Sequence, residues 1–162
     1  MKQIYETYSA EETAQLGRQL GKAARPSEVY ALIGELGVGK TALSKGIAEG
    51  LGVTEPVSSP TFTIVQIYEG GRMPLYHFDV YRVMDPLEME EIGYEDYFYG
   101  DGLTLIEWAG QIKELLPEKR TEVTIQKDLE KGFDYRRITV AKAGGKEADG
   151  TLAGGCDENI GG

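Results

Sequence analysis

The chain has 162 residues with 17 Lys and Arg against 27 Asp and Glu, a formal net charge of −10, and so acidic a chain repels polyanions unless a basic patch or partner intervenes. Its 41% hydrophobic and 27% charged residues exclude a disordered or fibrous protein and fit one globular domain. Cys156 is the single cysteine, so no internal disulfide forms, and with neither a leader-like N-terminus nor an apolar run of roughly 18 residues a soluble cytoplasmic protein is expected.

Gln3 to Tyr8 is strand-like, and Ser9-Ala10-Glu11-Glu12 has the spacing of a capping box, in which a hydroxyl and a carboxylate satisfy free amides at a helix start. The periodicity predicts a helix from Ala10 to Ala24, with Leu16 and Leu20 on one face and Pro26 beyond its end. Glu28 to Ile33 reads as a buried strand that runs straight into the glycine-rich stretch Gly34 to Thr41. Leu43, Ile47 and Leu51 then repeat at helical spacing, and Gly50 and Gly52 end that segment.

Thr61 to Tyr68 and Leu75 to Tyr81 are predicted strands, joined in a hairpin by Glu69-Gly70-Gly71-Arg72. Asp85-Pro86-Leu87-Glu88 carries a helix-start pattern, so a short helix is expected from Pro86. A strand over Gly102 to Ile106, a short helix over Trp108 to Leu116 closed by Pro117, and strands over Glu122 to Gln126 and Tyr135 to Val140 complete a body of residues 1–140. Residues 141–162 are rich in glycine and poor in large apolar side chains, the composition of a disordered tail. Between Val83 and Ile112 there is no Lys or Arg, but there are Asp85, Glu88, Glu90, Glu91, Glu95, Asp96, Asp101 and Glu107. A solvated acidic face is the usual meaning of such a run, and a docking surface for a basic partner is the other.

Gly34-Glu35-Leu36-Gly37-Val38-Gly39-Lys40-Thr41 fits G-x-x-x-x-G-K-[ST] at every fixed position, between a predicted strand and a predicted helix. In such a loop glycines turn successive amides toward phosphates and the helix start adds partial positive charge. Lys40 would reach the β and γ phosphates and Thr41 would hold Mg²⁺, so ATP and Mg²⁺ are the expected cofactors, contacted by Glu35 through Ala42. Carboxylates that complete a magnesium shell and handle the attacking water sit at the ends of apolar strands. Asp79 after Leu75-Tyr76-His77-Phe78 and Glu107 after Leu103-Thr104-Leu105-Ile106 occupy such places.

A guanine-reading Asn-Lys-x-Asp motif is missing; the nearest segment, Gln126-Lys127-Asp128, lacks the Asn and the spacing. Nor is there an arginine-rich lid, so a small nucleoside kinase is the weaker reading. His77, the only histidine, reads as structural, since no metal cluster can be built around it. Trp108 reads first as a core residue.

Together, Gly34 to Thr41, Ser58-Ser59-Pro60-Thr61-Phe62-Thr63, Leu75-Tyr76-His77-Phe78-Asp79-Val80-Tyr81-Arg82 and Ile106-Glu107-Trp108 make the sequence resemble the TsaE (YjeE) family of bacterial tRNA-modification ATPases, over nearly all of Tyr5 to Val140. The resemblance implies an α/β, P-loop NTPase-like fold: a mixed, mainly parallel sheet flanked by helices in a single domain. It also implies slow Mg-dependent ATP hydrolysis in support of TsaB and TsaD, which transfer a threonylcarbamoyl group to adenosine 37 of tRNA. By the same resemblance Lys40 contacts phosphates, Thr41 and Glu107 bind Mg²⁺, Thr61 senses the γ-phosphate and Asp79 organises water or magnesium. Trp108 and Arg137 then lie near the nucleotide, and Ser9 and Ala10 near its adenine. Trp108-Ala109 departs from the Trp-Pro of many members. Hydrolysis needed for turnover and mere occupancy acting as an interaction switch are both compatible with this pattern.

Overall fold

The computed structural model describes residues 2–34, 39–58, 60 and 64–144. Seven strands form one sheet: β1 (Lys2–Thr7), β2 (Val29–Ile33), β3 (Val65–Tyr68), β4 (Leu75–Asp79), β5 (Leu103–Glu107), β6 (Arg120–Lys127) and β7 (Arg136–Ala143), in the order β1-β7-β6-β2-β5-β4-β3. The centre, β6-β2-β5-β4, is parallel. β3 and β7 join it antiparallel, and β1, antiparallel to β7, recovers the central direction. The sheet is therefore mixed and mainly parallel, as expected.

Alternation along the central strands sends side chains to two faces. Tyr30 and Leu32 of β2, Leu75 of β4 and Leu103 and Leu105 of β5 join Leu43, Ile47 and Leu51 of α2 (Lys40–Leu51) and Leu16 of α1 (Ala10–Ala23) in one core. Val29, Ala31, Phe78 and Ile106 face the other way, against Met89 of α3 (Leu87–Glu91), Phe98 of α4 (Tyr94–Phe98) and Ile112 of a 3-10 segment, Ala109–Leu115. The two helical layers enclose the sheet, as a largely buried parallel sheet requires.

Both helix-start patterns form. The Glu12 amide donates to Ser9 Oγ at 3.1 Å, and the Glu12 carboxylate accepts from the Tyr8 amide at 2.8 Å, one residue before the usual partner. Asp85 Oδ1 accepts from the Leu87 amide at 2.9 Å while Glu88 Oε2 accepts from the Asp85 amide at 3.1 Å. The helix that starts there is short because Gly93 adopts φ 70 and separates α3 from α4, an element the sequence pattern did not distinguish.

α1 and α2 cross at Gly17, Gly21, Gly46 and Gly50, where a Cβ on any one would run into the backbone of the opposite helix. Arg72, in the β3–β4 hairpin, ties both helix ends. Its guanidinium donates to the carbonyls of Gly21, Lys22 and Ala24 at 2.6, 2.9 and 2.9 Å, and its amide donates to the Leu51 carbonyl at 2.8 Å.

Several boundaries differ from the sequence reading; β4 stops at Asp79 rather than Tyr81, and β6 starts at Arg120 rather than Glu122. β3 starts at Val65, after Ile64 at φ 68, and residues 61–63 lie outside the described residues. Trp108 adopts φ 64, and the segment beyond it is 3-10 rather than α-helical, interrupted at Ile112. β7 continues to Ala143, paired with Arg120 on one side while Ala141 pairs with Lys2 on the other, so the body runs past Val140. The remainder of the tail, from Gly145, lies outside the described residues.

Candidate active site

β2, β4 and β5 end at the same edge of the sheet, and α2 begins there. Glu35, Leu36, Gly37, Val38 and Thr61 lie outside the described residues. Gly39 precedes α2 at φ 107, a left-handed conformation that glycine adopts without strain. Gly39 offers no capping side chain and the first turn of α2 holds no acidic residue. Among the described residues no side chain caps this 12-residue helix, so its first amides and partial positive charge can meet an anion.

Lys40 opens α2 and is buried. Its Nζ donates to the Gly34 carbonyl at 2.8 Å and sits 3.7 Å from the centre of the Trp108 ring. Burial pushes the Lys40 ammonium below its ordinary pKa, against the opposing pull of Glu107 and Asp79. Trp108 is half-buried, with its ring 4.7 Å from that of Tyr81. Beside them a cavity of about 320 Å³ opens between Gly34, Tyr81, Trp108 and Gln111.

Asp79 and Glu107 are register partners on adjacent parallel strands. Burial raises the Asp79 carboxyl above the usual range; the Tyr81 amide, bonded to Oδ1 at 3.1 Å, pulls it down, the Glu107 charge pushes it up again, and His77 and Lys40 lower it. Glu107 is 4% exposed. Its Oε2 accepts from His77 Nε2 at 2.7 Å and from Ser44 Oγ at 3.3 Å. Thr41, exposed one turn before Ser44, occupies the same helix face. Among the described residues no three His, Cys, Asp or Glu are grouped to hold a metal unaided. A hydroxyl and two carboxylates instead fit Mg²⁺, a hard cation that keeps several waters and shares phosphate oxygens.

The structure therefore brings together Gly39, Lys40, Thr41, Ala42, Asp79, Glu107 and Trp108. Ser9 caps α1 with its hydroxyl, with Ala10 exposed beside it. Arg137 is exposed, opposite Glu6 in register and near Lys131 and Tyr135, whose hydroxyl donates to Glu6 at 2.6 Å. The neighbouring Arg136 is the residue that reaches the loop: its Nε would lie 3.6 Å from a Cβ on Gly39. Sequence reasoning missed Arg136, Ser44 and His77. Strand alternation would have put Arg136 on the face of Ile138, and helical spacing would have put Ser44 below Thr41.

Known proteins resemble the chain over most of its length. The family model described as threonylcarbamoyl adenosine biosynthesis protein TsaE matches residues 7–138. The tRNA threonylcarbamoyladenosine biosynthesis protein TsaE of Bacillus subtilis is 45% identical over 147 residues, 90% of each chain, and that of Treponema pallidum is 40% identical over 133 residues, 82% of this chain and 96% of the relative. A crystal structure of Bacillus subtilis YdiB superposes with a TM-score of 0.76 at 40% identity, covering 90% of this chain and 87% of the other. With most of its length matched by both the family model and these relatives, the chain belongs to the TsaE family.

Proposed function

We propose that this protein is a Mg-dependent ATPase that supports tRNA threonylcarbamoyladenosine biosynthesis. In that role it would serve a TsaB–TsaD complex that transfers the threonylcarbamoyl group to adenosine 37. The observation that carries the ATPase reading is the meeting of Lys40, Asp79 and Glu107 at the ends of β2, β4 and β5, beneath the uncapped start of α2. The family and the names of its members supply the pathway.

In this reading the amides at the start of α2 bind phosphate oxygens. Lys40 exchanges the Gly34 carbonyl and the Trp108 face for the β and γ phosphates. Thr41 and Glu107 would hold Mg²⁺, which supplies charge neutralisation at the phosphates. Asp79, whose carboxyl burial raises above the usual range, orients a water molecule. The segment from Val83 to Ile112 holds no Lys or Arg, which suits a component that leaves tRNA to its partners.

The test is ATP turnover by the pure protein, alone and with the two partners, with Lys40→Ala as the blank. Stimulation by the partners that disappears in the Lys40 variant supports the reading; turnover indifferent to them removes the pathway assignment and leaves the ATPase. Asp79→Ala should still bind ATP while losing about 10²–10⁴ in turnover, the usual contribution of a positioned acid or base. If that variant nevertheless sustains tRNA modification, occupancy rather than hydrolysis is what the complex needs.

A further inference from the structure

His77 is 1% exposed, and of its two ring nitrogens only Nε2 is engaged, at 2.7 Å from Glu107 Oε2. Nδ1 is buried with no hydrogen-bond partner among the described residues. A ring half of whose hydrogen-bonding capacity is buried unmet is a poor choice for stability, since unpaired buried polar atoms are penalised. On that face of the sheet its neighbours include Leu75 on its own strand and Leu105, its register partner on β5, with Gln66 opposite it on β3. An aliphatic side chain would fill such a position without an orphaned nitrogen, so the contact with Glu107 is what distinguishes histidine here.

That contact has a definite consequence for the carboxylate. Both of its hydrogen bonds, from His77 and from Ser44, land on Oε2, and among the described residues none reaches Oε1. Two donors on one oxygen, delivered from β4 and from α2, fix the rotation of the carboxylate and leave the second oxygen available. They also hold the carboxylate in place against the pull of Lys40, whose ammonium feels the Glu107 charge. A carboxylate allowed to rotate toward Lys40 would neutralise the lysine and withdraw its own oxygen at once.

We propose that His77 is a positioning residue that locks the Glu107 carboxylate, through Oε2, in the orientation that presents Oε1 to the divalent cation of a bound Mg–nucleotide. The proposal rests on the reading of the site as a Mg–ATP site. It concerns hydrogen-bond geometry: a donor at the place of Nε2 is required, and a donor at the place of Nδ1 is not. Partners of this kind around a metal ligand commonly alter metal affinity by about 10–100-fold when removed.

Trp108 is the only tryptophan and lies against Lys40, so its fluorescence reports occupancy of the site without any turnover. ATP is titrated first in the presence of a chelator, and Mg²⁺ is then titrated at saturating ATP, for wild type, His77→Leu, His77→Gln and His77→Asn. The expected result is a His77→Leu protein that melts no lower than wild type and binds metal-free ATP within about twofold of it, yet binds Mg²⁺ about 10–100-fold more weakly. His77→Gln, whose amide nitrogen can stand near the place of Nε2, should recover most of that loss, and the shorter His77→Asn should not. Wild-type Mg²⁺ affinity in His77→Leu overturns the proposal. Should His77→Leu fail to fold, the two amide variants decide, and equal Mg²⁺ affinities overturn it. A wild-type protein whose ATP binding ignores Mg²⁺, or persists in Lys40→Ala, overturns the reading of the site itself, an outcome separable from failure of the histidine alone.

Discussion

Asp79 carries a charge that burial penalises. Burial raises its carboxyl above the usual range, so protonation is more favoured in the folded state than in the unfolded one. The stability contributed by that preference is complete below the unfolded-state value and is lost as pH rises through the folded-state value. Asp79→Asn keeps an acceptor for the Tyr81 amide and removes the charge. Its melting temperature should exceed that of wild type at pH 7, by on the order of a degree once solvent screening of a half-buried group is counted. The gap should close as pH falls below the ordinary carboxylate range, and thermal melts of both proteins from pH 3 to 8 check it; a gap independent of pH would assign the effect to something other than ionisation. Lys40, Thr41, Asp79 and Glu107 were legible in the sequence because a fixed motif and strand ends announce them. His77 and Ser44 were not, because their role depends on which oxygen of Glu107 they reach, and that is fixed by the register of β4 against β5 and the seating of α2.

At the scale of elements, the seating of α2 depends on glycines. Gly46 packs so closely against the Ala14 carbonyl that a methyl group cannot be housed without moving α1. Gly46→Ala, normally favourable inside a helix, should here cost about 3 kcal/mol, the upper range for overpacking against rigid backbone, and lower the melting temperature by roughly 6–12 °C. Arg72→Ala should cost about 1–2 kcal/mol, less than a buried charged hydrogen-bond network because the side chain is partly solvated; urea denaturation measures both. The sequence showed that these helices exist, through a capping box and a 3.6-residue apolar period, and it showed the strand–loop–helix around Lys40. Their crossing was invisible because four glycines contribute nothing to an apolar pattern, and glycine in a helix reads locally as weakness. The 3-10 segment was misread for a related reason. Leu115 and Ile112 suggest helical spacing, while the left-handed Trp108 that redirects the chain toward Lys40 is a conformation no pattern in the residues predicts.

Within the acidic run from Val83 to Ile112 the carboxylates follow a single rule with two exceptions. Asp85, Glu90, Glu91, Glu95, Asp96 and Asp101 are exposed, as a solvated acidic face should be, whereas Glu88 turns inward to cap α3 and Glu107 is buried at the site. Among the described residues no helix is long and apolar enough to cross a membrane. Binding at the end of the sheet should also be felt by the entire fold. α2 contributes to the core through Leu43, Ile47 and Leu51, and β2, β4 and β5 form its centre, so a ligand that bridges their ends resists separation of those elements. A ligand that binds only the folded state at about 100 times its dissociation constant adds about 2.7 kcal/mol, which for a chain of this size corresponds to roughly 5–11 °C in melting temperature. Mg–ATP at that excess should therefore raise the midpoint by several degrees in wild type and leave Lys40→Ala unmoved. GTP at the same concentration should do less, since the sequence lacks a guanine-reading motif. Scanning calorimetry with each nucleotide decides it: an equal shift with GTP would mean that the phosphates alone carry recognition, and a shift retained in the Lys40 variant would place the nucleotide somewhere other than the start of α2.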